Sequence, residues 1–327
     1  MSPHRIAIVG CGNIGAGWAA TMAARGLHVA CTDPAPGAEV RLRAAVAAEF
    51  ATLGLDPEQI AAAEACLRFT PDLAAALDGC EWVQENAPES LDLKRGILRA
   101  IDALVPPSVV IASSTSGIMP SVLQAGLTHP ERLIAGHPFL PVSLIALVEV
   151  VGGSMTSPAV FDRAMAFYAA IGKAPVRVAR ERTGHIANRL QAAVMREAFY
   201  LLAEGVASAA DIDRALTEGP GQRWAATGPF VSQHLAGGPG GAAATFANLG
   251  DALRAMWADL GAPTLDAALQ QTVEAGIAEL LVETPAEEWA ARRTSILTLL
   301  ARAKCDGQAR PSWNGSLARL ERDAFRG

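Results

Sequence analysis

Of the six histidines in the 327 residues, His137 stands in Gly-His-Pro-Phe-Leu-Pro, just past an apolar run that reads as a strand. Imidazole is the side chain whose ordinary pKa lies nearest neutrality, so His137 suits proton abstraction from a hydroxyl. A carboxylate on its far ring nitrogen would orient the ring and stabilise its cation. Glu149, inside the apolar stretch Leu-Val-Glu-Val-Val, fits that part, because an acid buried there without a partner is costly. Ser116, in Ala-Ser-Ser-Thr-Ser-Gly-Ile, and Asn188, in Gly-His-Ile-Ala-Asn-Arg-Leu, are able to hydrogen-bond a reacting oxygen. Structural roles compete at each position: His137 as a turn residue, Ser116 bonding a turn backbone, Asn188 capping a helix. His185 is a rival imidazole, although at a helix start it reads first as a cap or surface residue.

Removing a hydroxyl proton oxidises a carbinol only if something accepts the hydride. The run Ile-Ala-Ile-Val-Gly10-Cys11-Gly12-Asn13-Ile14-Gly15 is a strand leading into G-x-G-x-x-G, the turn that cradles a dinucleotide pyrophosphate at a helix N-terminus. Gly10 permits the turn, Gly12 lets backbone approach the phosphates, and Gly15 lets helix and strand pack closely. Asp33, eighteen residues after Gly15, ends the second apolar run. An acid there bonds the ribose hydroxyls and repels a 2′-phosphate, which selects NAD over NADP.

The elements that must position these groups follow from periodicity. Strand-like runs fall at 6–9, 29–32, 67–69, 82–84, 109–112, 133–135, 147–151 and 176–178, alternating with helix-length segments at 15–25, 39–53 and 93–104. That rhythm predicts an α/β fold, a parallel doubly wound Rossmann sheet with ligands beyond the carboxyl ends of its strands. After Glu181 the period changes: Ile186, Leu190, Val194, Ala198 and Leu202 form one helical stripe, and the rest reads as all-α, broken at 219–221, 237–241 and Pro285. The expected organisation is an NAD-binding domain at 1–181, a helical substrate and dimerisation domain at 182–304, and a tail at 305–327.

Composition narrows the function classes. A net charge of −6 with scattered charges argues against nucleic acid, and 51% hydrophobic residues fit a large buried interior. No apolar run reaches the roughly 20 residues needed to span a bilayer, and because Met-Ser-Pro-His-Arg passes straight into a strand-like run, no signal peptide is expected. The five cysteines form neither C-x-x-C pairs nor a set with histidine at ligand spacing, so free thiols in a reducing cytoplasm are expected, with no metal.

Taken in order, these motifs resemble the 3-hydroxyacyl-CoA dehydrogenase superfamily, and within it the branch of lambda-crystallin (L-gulonate 3-dehydrogenase) and L-carnitine dehydrogenase. The likeness runs from the first glycine motif to about Lys304. It implies that the family's catalytic Ser, His, Glu and Asn fall on Ser116, His137, Glu149 and Asn188. Its nicotinamide-side Glu and Lys fall on Glu89 and Lys94. One departure is Leu140, where the family's His-Pro-x-Asn-Pro segment carries Asn.

The resemblance implies NAD-dependent oxidation of a 3-hydroxy acid at C3, and the residues then weigh on which. A CoA thioester needs cations on the helix after the second strand, where only Arg41 and Arg43 stand, interleaved with Glu39 and Glu49. Arg223, in Glu-Gly-Pro-Gly-Gln-Arg-Trp, is shared with the lambda-crystallin and carnitine branch, and a guanidinium there would hold a free carboxylate, unless it simply bridges surface helices. A polyol would want groups such as Gln222, Thr227, Ser143 and Gln233; a quaternary ammonium would want aromatics such as Trp224, Phe230 and Phe139. The expectation leans to a small gulonate-like acid. L-carnitine, an L-3-hydroxyacyl-CoA and a non-catalytic NAD-binding structural role remain alternatives. The apolar stripes of the helical half point to a homodimer.

Overall fold

The computed structural model describes residues 4–305. Eight strands, β1 (Arg5–Val9), β2 (His28–Thr32), β3 (Leu67–Phe69), β4 (Trp82–Glu85), β5 (Val110–Ser113), β6 (Leu133–Pro138), β7 (Leu147–Gly152) and β8 (Ala174–Val178), form one sheet in the order β3-β2-β1-β4-β5-β6-β7-β8. The chain leaves β1 toward β2 and β3, then returns to place β4 on the other side of β1. That reversal opens the crevice in which doubly wound folds bind ligands.

Each strand segregates its side chains by parity. Ile6, Ile8, Trp82, Val110 and Ala112 join one core, while Ala7, Val9, Val83 and Ile111 join the other. Both faces are covered, which is why these strands read as continuous apolar runs rather than alternating ones. The helices of this half are α1 (Asn13–Ala23), α2 (Ala38–Leu53), α3 (Pro57–Ala65), α4 (Leu73–Leu77), α5 (Leu91–Leu104), α6 (Pro120–Gln124) and α7 (Pro158–Ala170). Trp18 of α1, Phe50 of α2 and Phe167 and Tyr168 of α7 fill the first core; Leu98 and Ile101 of α5 fill the second.

The sheet is not parallel throughout, in contrast to what the rhythm alone predicts. β7 runs antiparallel to β6, and β8 runs parallel to β7. The reason is connection length. Only residues 139–146 join β6 to β7, whereas a parallel crossover takes a dozen or more residues. The link from β7 to β8 carries α7, so that pair is parallel again.

Six further helices follow: α8 (Ala187–Ala203), α9 (Ala209–Glu218), α10 (Pro220–Ala236), α11 (Gly241–Asp259), α12 (Ala267–Glu283) and α13 (Ala286–Cys305). Ser208 and Asp266 cap α9 and α12 by accepting from the N–H groups of Asp211 and Leu269. α10 bends where Gly228 takes φ +69° just ahead of Pro229. The chain gathers into two compact units, one running to Arg189 and including Thr294–Arg302, the other spanning Leu190–Arg293. Of the tail expected at 305–327, everything after Cys305 lies outside the described residues. Among the described residues, Cys11, Cys31, Cys66 and Cys80 are free thiols, and no helix is long and apolar enough to cross a membrane.

Candidate active site

The glycine turn after β1 shows the three constraints its motif implies. Gly10 takes φ +90°, and a Cβ there would lie 2.9 Å from the Asn86 backbone. A Cβ on Gly15 would meet the Gly10 carbonyl at 1.9 Å, so only glycine lets α1 pack so closely on the turn. At Gly12 a Cβ would meet nothing within 4 Å, which leaves room above the turn for a ligand. Asn13, Ile14 and Gly15 form the head of α1, which no side chain caps. Asp33, at the end of β2, accepts from the Cys11 N–H and the Ala35 N–H, both at 2.9 Å, and so ties the β2 loop to the glycine turn. An uncapped helix head, open space at Gly12 and an acid at the second strand end together fit a dinucleotide with a free ribose.

His137 and Glu149 face each other across the one antiparallel pairing of the sheet. Directly opposed residues project from the same face, so the register itself puts the imidazole on the carboxylate. His137 Nδ1 lies 2.9 Å from Glu149 Oε2, and both side chains are buried. The other carboxylate oxygen, Oε1, accepts from the N–H groups of Ile186 and Ala187 at 2.8 and 2.9 Å, at the head of α8. Burial is the largest influence on Glu149 and pushes its pKa up. Hydrogen bonds from His137, Ala187 and Ile186 outweigh it and hold the acid below its usual range. An ionised Glu149 fixes the proton of His137 on Nδ1 and leaves Nε2 as a lone pair.

Ser116 sits in the turn after β5, and this turn is built on Glu89. Oε1 of Glu89 accepts from Thr115 Oγ1 at 2.6 Å and from the N–H groups of Ser116, Gly117 and Ile118 at 3.1, 2.8 and 3.2 Å. Burial raises the pKa of Glu89, but these donors and Lys94 carry it below the usual value. Lys94 is only 1% exposed and lies 3.7 Å from Glu89. Its nearer partner is Glu85, at 3.0 and 3.2 Å. Glu85 ends β4 and also accepts from Ser113 Oγ and the Ala87 N–H. The structure thus gives Glu89 and Lys94 a definite task, bracing the floor of the turn that carries Ser116, and adds Glu85 to them.

His185 is neither a helix cap nor a surface residue. It is 2% exposed, its ring centroid lies 5.3 Å from that of His137, and its Nε2–H donates to the Thr115 carbonyl at 3.1 Å. Burial lowers its pKa; Thr115, Glu149 and Glu89 oppose the shift and His137 reinforces it. Asn188 is the second residue of α8 rather than its cap, one position beyond the N–H groups that hold Glu149. Arg223 is exposed on α10, in the second unit.

Sequence reasoning missed the polar layer beneath the site. Gln84 Nε2 donates to Ser114 Oγ and to the Gly136 carbonyl, and Tyr168 Oη donates to Gln84 Oε1 at 2.7 Å. A Cβ at Gly136 would lie 1.8 Å from Tyr168 Oη, so the tyrosine presses on the backbone just before His137. On the other side of His137, Lys173 Nζ donates to the carbonyls of Val142 and Ile145 and fixes the loop that follows. In sequence, Tyr168 sits in an apolar run with nothing to distinguish it from core, and Gln84 reads as the end of a strand.

The family models for the NAD-binding domain and the C-terminal domain of 3-hydroxyacyl-CoA dehydrogenase match residues 5–182 and 184–282. L-carnitine dehydrogenase of Streptomyces griseus is 49% identical over 280 residues, 84% of this chain and 82% of its own. That of Nocardiopsis dassonvillei is 46% identical over 299 residues, 91% of each chain. Among solved structures, an NAD-dependent 5-formyl-3-hydroxy-2-methylpyridine 4-carboxylic acid 5-dehydrogenase superposes with a TM-score of 0.77 at 28% identity, covering 93% of this chain and 98% of its own. The (S)-3-hydroxybutyryl-CoA dehydrogenase of Ralstonia eutropha does so with 0.62 at 34% identity, covering 66% and 77%.

Proposed function

The chain belongs to the 3-hydroxyacyl-CoA dehydrogenase family, and from that premise we propose that it oxidises the C3 hydroxyl of L-carnitine with NAD. The observation that carries the chemistry is the buried cross-strand contact between His137 and Glu149, in a sheet whose first strand ends in a turn shaped for a dinucleotide. The observation that carries the substrate is the near-half identity with L-carnitine dehydrogenases over most of both chains.

Glu149 keeps the His137 proton on Nδ1, so the Nε2 lone pair takes the proton of the C3 hydroxyl. Ser116 and Asn188 hold the hydroxyl oxygen while that proton leaves. Gly10, Gly12, Asn13, Ile14, Gly15 and Asp33 hold NAD, which when bound supplies the acceptor for the hydride from C3. Glu89 and Lys94 support its nicotinamide side through the Ser116 turn. Arg223 is our choice for the substrate carboxylate, by paired hydrogen bonds from its guanidinium.

Several contacts favour carnitine over the alternatives. Three of the groups a gulonate-like polyol would use are engaged internally: Ser143 with Glu49, Gln222 with Glu218, and Thr227 with Arg223 and Ser232. The two cations a CoA phosphate would need are also committed, Arg43 to Glu39 and Arg41 to the Pro36 carbonyl. Phe139, by contrast, meets the His137 ring edge-on at 5.2 Å, and Leu140 beside it is 52% exposed. An aromatic and an aliphatic surface next to the base suit a trimethylammonium group. Leu140, the departure from the family's Asn, then provides apolar wall in place of an amide.

Residues 1–181 serve NAD and 182–304 serve substrate binding and dimerisation. The working form is a homodimer that covers apolar helix surface of the second unit, in a cytoplasm whose reducing poise matches the free thiols. The test is NADH formation from L-carnitine, D-carnitine, L-gulonate and (S)-3-hydroxybutyryl-CoA at saturating NAD. The highest kcat/KM is expected for L-carnitine. A higher value for the gulonate or the thioester overturns the substrate, and no turnover of any overturns the enzyme in favour of a structural NAD-binding role.

A further inference from the structure

His185 combines three unusual features. It has φ +49°, the one positive φ of a non-glycine residue among the described residues, immediately after Gly184 at +74°. A side chain in that region costs backbone energy, and such outliers persist where surrounding structure demands them. Its Nε2 faces a carbonyl oxygen, so a proton must sit on Nε2, and in the neutral ring Nδ1 is then a lone pair. Nδ1 is buried without a hydrogen-bond partner, the one such side-chain atom among the described residues. A phenyl ring would avoid that burial of an acceptor.

The contacts around this residue explain why an imidazole is held there. The Nε2–H ties the head of α8 to the Thr115 carbonyl, one residue before Ser116. The left-handed pair at 184 and 185 turns the chain so that the next two N–H groups, of Ile186 and Ala187, converge on Glu149 Oε1. The ring itself lies against His137. One side chain therefore joins the Ser116 turn, the donors that hold Glu149 ionised, and the neighbour of the base.

We propose that His185 is a positioning residue: a permanently neutral imidazole whose Nε2–H ties the Ser116 turn to the N–H groups that orient the Glu149–His137 pair. This rests on the reading of His137 as the base. Neutrality is part of the role. The charged or titratable groups facing it are His137 from β6, Glu149 from β7 and Glu89 from the loop after β4. A proton on Nδ1 would find no acceptor and would set a second positive charge beside His137 at the moment that residue becomes an imidazolium.

Three variants and one spectrum test this. All three retain a Cβ, so each meets the same positive φ. His185→Phe keeps a planar ring, slightly larger, and loses the tie; His185→Gln restores an N–H that reaches the Thr115 carbonyl; His185→Asn is too short to reach it. With L-carnitine, His185→Phe and His185→Asn are expected to lower kcat about 10- to 100-fold, as misplacement on the ångström scale does. KM for NAD should stay near wild type, the acidic limb of the kcat/KM profile should shift, and His185→Gln should recover most of the loss. Wild-type kcat and pH profile in His185→Phe, or no recovery in a folded His185→Gln, overturns the proposal. If the variants do not fold, ¹⁵N shifts of the histidines in the NAD-loaded wild-type enzyme decide. They should show His185 as the neutral Nε2–H tautomer from pH 6 to 9; titration in that range, or the Nδ1–H form, overturns it. Absence of activity in the wild type would bring down the proposed function instead, and the spectrum would still read His185.

Discussion

At the scale of residues, the site depends on one carboxylate being held in its ionised form. Glu149 receives donors on both oxygens, His137 on one and two backbone N–H groups on the other. Glu149→Gln preserves the shape but offers the imidazole an amide instead of an anion. The ring is then free to flip its tautomer and lose the lone pair on Nε2. We expect kcat to fall by about a hundredfold or more with little change in KM, measured by steady-state NADH formation. The same substitution has a signature in stability. Because the folded-state pKa of Glu149 lies below its usual 4.5, the acid stabilises the protein at pH values above that figure. This contribution is lost as the pH falls through the lower, folded-state value. Urea unfolding between neutral pH and about pH 3 should therefore show a shallower loss of stability in Glu149→Gln than in the wild type. Equal slopes would mean that Glu149 is not held below its ordinary range.

At the scale of elements, the glycine turn separates what the fold needs from what the ligand needs. Gly15→Ala drives a methyl group into the Gly10 carbonyl, so α1 must move off β1. Thermal unfolding should register a loss of at least about 1–3 kcal/mol, the usual cost of overpacking. Gly12→Ala meets no protein atom, and its Tm should match the wild type. Its methyl group instead occupies the approach to the pyrophosphate, and KM for NAD should rise by about tenfold or more, the equivalent of one lost phosphate hydrogen bond to a charged group. A destabilised Gly12→Ala with unchanged NAD affinity would invert this assignment.

The same turn shows what is legible in sequence. Gly10, Gly12, Gly15 and Asp33 are readable because three glycines at this spacing, between an apolar run and a helix, meet the steric demands of a phosphate-binding turn. The central strands are readable because they are buried on both faces. The reversal at β7 is not, since strand direction is absent from periodicity; only the eight residues between β6 and β7 carry it. The pairing of His137 with Glu149 is anticipated because a buried acid needs a partner, while the cross-strand register that delivers it is a product of that reversal. His185, Gln84, Tyr168 and Glu85 act through partners distant in sequence, as in the 70 residues between His185 and Thr115. No local pattern marks such residues.

At the scale of the whole molecule, the second unit poses a problem of exposed apolar surface. Phe230, Val282, Leu265 and Trp257 are exposed on or beside its helices, and α8, α9 and α10 each lack any fully buried residue. Soluble monomers rarely leave large contiguous apolar surface uncovered. A second copy of the chain is the partner that every cell making this protein also makes, and a two-fold contact lets one patch cover its own counterpart. A stable contact of this type removes about 800 Å² per partner, which a few neighbouring helices are able to supply. Sedimentation equilibrium at micromolar concentration should give twice the chain mass. The paired substitution Trp257→Lys with Val282→Lys should shift it toward the monomer, because two ammonium groups per copy are costly to desolvate in an apolar contact. NAD binding, measured by fluorescence of the reduced cofactor, should survive that shift, since the glycine turn and Asp33 belong to the other unit. A wild-type monomer at this concentration would show that the helices cover their apolar surface in some other way.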